Sequence, residues 1–187
     1  GLRDEEEESM KKVCVLLADG FEEIEGLTVV DLLRRAKIYV DTISIMDDYI
    51  VHGAHGINVQ TEDLFDEVDF DDYIGLFITG GRSPEYIRMD HKVISLVKCF
   101  VRSGKPVAAI CHAAQVLTAA DVVCGRKLTC YPALAAEVKL AGGNYIEVAP
   151  DEAVVDCNLI TSPAWPGNTA ILREFAKALG CEFIFRP

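Results

Sequence analysis

The residues best suited to covalent chemistry are Cys111 and His112, adjacent in "KPVAAICHAAQVLTAA", residues 105–120. Small and apolar residues run into the cysteine, and a helix-like pattern takes over behind the histidine. A thiol is a strong nucleophile only as its thiolate. A strand-to-helix junction favours that form, because the free N–H groups and positive dipole end of the helix point back at the sulfur. Ala109 and Ala113, two positions before and after Cys111, are small, as a tight strand–nucleophile–helix turn demands where the backbone doubles back. The pattern favours a reactive Cys111 over an inert core cysteine. The imidazole beside it can take up or return a proton.

Two other stretches end apolar runs in ways that could serve this thiol. "ITGG" places Gly80 and Gly81 where the backbone can approach closely, so their N–H groups can form an anion pocket opposite Cys111. "DGFEEIE" follows the first apolar run and offers Glu22, Glu23 and Glu25. Glu25, one turn into the following helix, could point back over the site, although spacing alone does not select it among the three.

The elements that must position these groups alternate along the chain. "KKVCVLLA", "IYVDTISI", "YIGLFITGG" and "KPVAAIC" are strand-like runs, the first, third and fourth continuous enough to be covered on both faces. "DDYIVHGAHGINVQT" has the turn residues and alternation of a hairpin. "EIEGLTVVDLLRRA" reads as a helix with Ile24, Leu27, Val30 and Leu33 toward the core. "VISLVKCFV" is amphipathic through Val93, Ile94, Val97, Phe100 and Val101. "GRKLTCYP" and "EAVVDCNLITS" are later strand candidates, and "NTAILREFAKALG" is a closing helix stopped by Gly180. Such alternation predicts one α/β domain with a mostly parallel sheet and helices on both faces. In such sheets ligands bind beyond the carboxyl ends of the strands, where Cys111 would lie.

Composition narrows the function classes. Half of the 187 residues are hydrophobic, enough for one sizeable core. The formal net charge of -12 is uninterrupted by any basic patch, which argues against nucleic acid and anionic membranes as partners. Part of that charge sits in "GLRDEEEES". Residues 1–10 read as an acidic, disordered tail before a domain spanning 11–187. No stretch reaches the ~18 apolar residues of a membrane span, and no signal peptide is expected. Seven cysteines without a C-x-x-C pair suggest neither a zinc site nor a disulfide framework. They point to a reducing compartment, the cytoplasm or an organelle interior. Cys14, Cys99, Cys124, Cys157 and Cys181 fit core positions. His52 and His55 in "HGAH" read as surface residues, lacking nearby acid or thiol ligands in the sequence, so no metal site is expected.

Taken together, "DGFEEIE", "VDLLRRA", "ITGGRSPE", "AAICHAAQVL", "GRKLTCYP" and "NLITSPAWPG" resemble the ThiJ/PfpI superfamily. The resemblance covers nearly everything from Met10 to Pro187. It implies a flavodoxin-like, class I glutamine amidotransferase-like three-layer sandwich. The first half is similar to the parkinsonism-associated deglycase branch. "GGRSPEYIR", Cys-His and "AWPG" look like the PfpI peptidase and plant glyoxalase branches.

By that resemblance Cys111 is the nucleophile and Glu25 the carboxyl, typically protonated, that hydrogen-bonds it. His112 matches the histidine of the PfpI-like branches, and Glu85 the acid that orients it from a neighbouring subunit. Tyr131 stands near the sulfur, and Arg35 and His55 match interface and pocket-mouth positions. Trp165 either walls the cleft or caps the core. Lys37 departs from the pattern, standing where relatives usually carry a helix-stopping Gly.

The activity so implied is a cofactor-free glyoxalase or deglycase acting on small dicarbonyls or glycated protein, in a homo-oligomer, dimer or higher. One alternative is a PfpI-type peptidase with a Cys111–His112–Glu85 triad. The other is a redox sensor or chaperone working through Cys111 oxidation. A glutaminase is disfavoured, since no His-x-Glu pair appears in the last third.

Overall fold

Branched apolar runs become the strands of a central sheet. In chain order the computed structural model, which describes residues 12–181 and Phe183, begins with β1 (Lys12–Leu17), α1 (Glu23–Arg35) and β2 (Tyr39–Ser44). The hairpin β3 (Ile50–His52) and β4 (Asn58–Gln60) follows, then β5 (Asp63–Leu64), β6 (Gly75–Ile78), α2 (Ser83–Ile87) and α3 (His91–Arg102). Next come β7 (Val107–Ile110), α4 (Ala114–Ala119), β8 (Lys127–Leu128), α5 (Ala135–Leu140) and β9 (Asn144–Tyr145). The chain closes with β10 (Val154–Asp156), β11 (Leu159–Ser162) and α6 (Asn168–Ala178). The expected acidic tail, residues 1–10, lies outside the described residues.

Seven strands form one sheet in the order β10-β11-β7-β6-β1-β2-β5, parallel throughout except for the β10–β11 pair. All residues of β6, β7 and β11 are buried, because helices cover both faces. On one face Val13, Val15, Leu17, Phe77 and Ile110 pack against Val29 and Leu33 of α1 and Ile171, Leu172 and Phe175 of α6. On the other, Cys14, Leu16, Leu76 and Ala109 pack against Val93, Val97, Phe100 and Val101 of α3 and Val116 and Leu117 of α4. This is the expected sandwich.

Register brings the candidate groups to one rim. Ile78 of β6 lies opposite Ala109 of β7, so Gly80 and Cys111, each two residues further on, emerge side by side. Ser162 of β11 lies opposite Ile110. The loop after β1 joins them through Phe21, which bridges to Gly81 and to Gly53 of the hairpin.

Several expectations change in the folded chain. The inward face of α1 is Gly26, Val29 and Leu33, with Ile24 exposed and Leu27 and Val30 only half-buried. The helix is rolled because Gly26 lets it press onto Phe21 and Leu17, and because Glu23 and Glu25 are drawn inward by hydrogen bonds. "GRKLTCYP" contributes only the two-residue β8, paired with β9 beside the main sheet. "EAVVDCNLITS" is not one strand but the β10–β11 hairpin, turning at Cys157 with φ 52°. Cys99, Cys124 and Cys157 are exposed and Cys181 is half-buried, so of the five assigned to the core only Cys14 is fully buried.

Candidate active site

Strand β7 ends at Ile110 in extended conformation, and Cys111 then turns the chain with φ 61° into a 3-10 turn, Cys111–Ala113, that leads to α4. A left-handed conformation costs a non-glycine residue roughly 1–2 kcal/mol, which the two packed elements must hold in place. The turn lifts Sγ off the sheet rim. The main-chain N–H groups of His112 and Gly81 reach the sulfur, and His112 Nδ1 lies 3.2 Å from it. The His112 ring stacks on Tyr131, centroids 4.3 Å apart, and the Tyr131 N–H donates to Cys111 O at 3.2 Å. Burial holds the His112 imidazole below the usual histidine range, opposed by the nearby Glu85 charge.

Glu25 reaches the sulfur from α1 and is only 1% exposed. Its Oε1 accepts the Gly80 N–H at 2.8 Å, while Oε2 is buried with no conventional hydrogen-bond partner among the described residues. Burial, reinforced by the Glu22 charge, raises its pKa from 4.5 to about 7, against the pull of the Gly80 N–H and the Cys111 thiol. Burial, then the Glu25 charge, push the Cys111 thiol up to about 12, against the His112 and Gly81 N–H groups. The two groups therefore compete over protons. An anionic Glu25 suppresses the thiolate. A protonated Glu25 removes that repulsion and gains a hydrogen to donate.

The glycines permit this approach. A Cβ on Gly80 would lie 2.5 Å from Glu25 Oε1 and 2.8 Å from Cys111 Cβ. Gly81 has φ 72°, and a Cβ there would lie 2.4 Å from Gly20 O. The Gly80 N–H is taken up by Glu25, so of the two glycines in the expected anion pocket Gly81 serves the sulfur, joined there by the His112 N–H.

Residues 11–178 match the sequence profile of the DJ-1/PfpI family. The chain belongs to the DJ-1/PfpI family. Among family relatives, Protein DJ-1 homolog D of Arabidopsis thaliana is 37% identical over 186 residues, covering 91% of this chain and 48% of the relative. The chain thus spans about half the length of that protein. Deglycase TK1284 of Thermococcus kodakarensis is 39% identical over 169 residues, covering 90% of this chain and 99% of its own length. A two-domain protein of Anabaena variabilis, with DJ-1/ThiJ/PfpI-like and ferritin-like domains, superposes with a TM-score of 0.84 at 29% identity. That overlap takes in 91% of this chain and 48% of the other.

The remaining residues implied by the family lie at different distances from the thiol. Glu85, on α2, bears on His112 through its charge, but it is exposed and pairs with Arg82 Nε at 3.4 Å. Trp165 follows β11 at the same rim and is 54% exposed, so it does not cap the core. Arg35 ends α1, twelve residues beyond Glu23 and hence about 18 Å along the helix. It pairs with Asp31 there, and within one chain it does not reach the site. Near it lies a surface hollow of about 470 Å³ lined by Arg34, Lys37, Tyr39, Asp41 and Glu62.

His55 is exposed, as expected, yet the fold supplies the acid neighbours that its sequence context lacks. Its Nδ1 lies 3.2 Å from Glu23 Oε1 and 3.6 Å from Glu22 Oε1. Glu23 is buried and accepts the main-chain N–H groups of His55 and Ile57, which outweigh burial and hold its carboxyl below the usual range. Both Glu23 oxygens accept hydrogen bonds and the positive end of α1 lies beside them, so this group fastens the hairpin to the helix. Among the described residues no helix is long and apolar enough to cross a membrane.

Proposed function

We propose that the chain is a cofactor-free, cysteine-dependent glyoxalase and deglycase acting on methylglyoxal, glyoxal or their early adducts on proteins. The observation that carries this reading is the placement of Cys111 Sγ beside His112 Nδ1 and the buried Glu25 carboxyl, whose pKa burial raises. The thiolate adds to the aldehyde carbon, forming a C–S bond and an alkoxide that takes a proton to become a hemithioacetal. The Gly81 and His112 N–H groups are the donors nearest that oxygen. His112, kept neutral by burial, or Glu25 removes the proton from the former aldehyde carbon. Return of that proton to the adjacent carbon, through an enediol, leaves a thioester of the 2-hydroxy acid. Water cleaves the thioester and restores the thiol. In deglycation the thiolate forms the same C–S bond on the early adduct while the C–N bond breaks and the amine leaves with a proton, and the later steps are shared. Exposed free thiols at Cys99, Cys124 and Cys157 suit a reducing compartment, the cytoplasm or an organelle interior. The test is lactate formation from methylglyoxal without glutathione. Wild-type protein is expected to turn over, and equal rates for Cys111→Ala would remove the reading.

The contact between Cys111 and His112 also favours a second reading, a peptidase completed by Glu85 of another copy. Within one chain no hydrogen bond joins Glu85 to His112 among the described residues, so this triad takes its acid from a neighbouring copy. Peptide cleavage by the assembled protein that disappears in Glu85→Ala supports it. Failure to cleave in every assembly state rejects it.

A further inference from the structure

The hairpin imidazole touches no reacting group, yet it stands at the end of a chain of charges leading to the thiol. Glu22 is the N-cap of α1, and Glu25 is three residues on, one turn up the same face. His55 Nδ1 lies 3.6 Å from Glu22 and 3.2 Å from Glu23. The imidazole is 71% exposed, whereas the Glu22 side chain is 18% exposed and Glu25 is buried. A proton exchanged with solvent at His55 thus changes the field felt inside the site.

We propose that Glu22 and His55 form an outer charge pair that sets how readily Glu25 and Cys111 give up a proton, linking a buried thiol to solvent pH. The inference rests on the Glu25–Cys111 pair described above and not on which substrate the thiol attacks. Other groups leave this role to His55. Glu23 is held by main-chain donors and by the same imidazole, Arg82 is turned to Glu85, and Glu85 bears on His112. Cys111 faces Glu25 directly.

The signs follow from charge alone. Anionic Glu22 opposes any negative charge on the inner pair. Protonated His55 cancels that opposition, so the first proton leaves at lower pH. Imidazoles change charge between about pH 5 and 8. Beside a neutral imidazole the repulsion of Glu22 is unmasked. Thiol reactivity therefore climbs with pH more gradually than a single titration.

The experiment follows iodoacetamide alkylation of Cys111, read at its own peptide by mass spectrometry, from pH 5 to 9. Wild type, Glu22→Gln, His55→Gln and the double variant are compared. Glutamine at 22 keeps an oxygen for the Ile24 N–H, and substitution at 55 keeps the main-chain donor to Glu23, so folding is retained and a melting curve verifies it. Glu22→Gln is expected to move the midpoint down by about half a pH unit, roughly threefold in rate on the acid side. His55→Gln is expected to move it up and steepen the profile, and to do both less in the Glu22→Gln background. Unmoved midpoints, or an equal His55→Gln shift in both backgrounds, overturn the proposal alone. A Cys111 that stays unlabelled throughout overturns it together with the thiol chemistry above.

Discussion

Glu25 Oε1 accepts the Gly80 N–H at 2.8 Å, joining residues 55 apart in the chain, and it occupies the space where any side chain on Gly80 would stand. One strand end thereby holds the acid, and its register neighbour holds the sulfur. The acid cannot retreat from the sulfur without giving up its only conventional hydrogen bond among the described residues.

Glu25 makes folding stability depend on pH. Its folded pKa, about 7, lies above the ordinary 4.5, so its stabilising contribution is complete below pH 4.5 and is lost as pH rises through about 7. The loss across that window is on the order of 3 kcal/mol. Glu25→Gln keeps an acceptor for Gly80 and cannot ionise. Its melting temperature is expected to exceed that of wild type at pH 8 and to converge with it at pH 4.5. Parallel melting curves across this range would contradict the assignment.

Gly80→Ala would drive a methyl group into both partners at once. The side chains meet backbone-constrained atoms, so relief requires displacing Glu25 from its hydrogen bond. A loss of about 1–3 kcal/mol in stability is expected. Denaturant unfolding measures it, and Cys111 alkylation should change in the same variant. Wild-type values in both measurements would show that the close approach is not needed.

Tyr131 packs its ring on His112, at a 25° tilt, and so limits the orientations from which Nδ1 can meet the sulfur. Aromatic stacking of this kind is worth about 0.5–1.5 kcal/mol. Tyr131→Leu is expected to lower kcat/KM for the thiol-dependent reaction by up to about tenfold, with Tyr131→Phe close to wild type. If the phenylalanine variant falls equally, the hydroxyl and not the ring is what matters.

Lys37 stands after the last turn of α1 with φ 63°, exposed to solvent, as the departure from the family glycine anticipates. Relieving this strain with Lys37→Gly is expected to stabilise the fold by about 0.5–1 kcal/mol. A rise of a few degrees in Tm measures it, with no change in thiol reactivity.

The sandwich was legible because its strands are continuous apolar runs and its helices α3 and α6 carry an unambiguous period, both local consequences of burial. The elbow was legible because a tight turn around Cys111 excludes large neighbours, and Ala109 and Ala113 report that exclusion directly. Which acid serves the thiol was not readable, since Glu22, Glu23 and Glu25 have nearly the same local context. Only the folded chain separates them into an N-cap, a fastener of the hairpin and a buried partner of Gly80 and Cys111. The roll of α1, the occupied Gly80 N–H and the junction at His55 were likewise hidden. Each depends on donors and acceptors brought together from 32 to 55 residues away, and helical or strand periodicity carries no signal at that range. Apolar patterning thus determined where the thiol would stand, whereas through-space charge and hydrogen bonding decided what surrounds it.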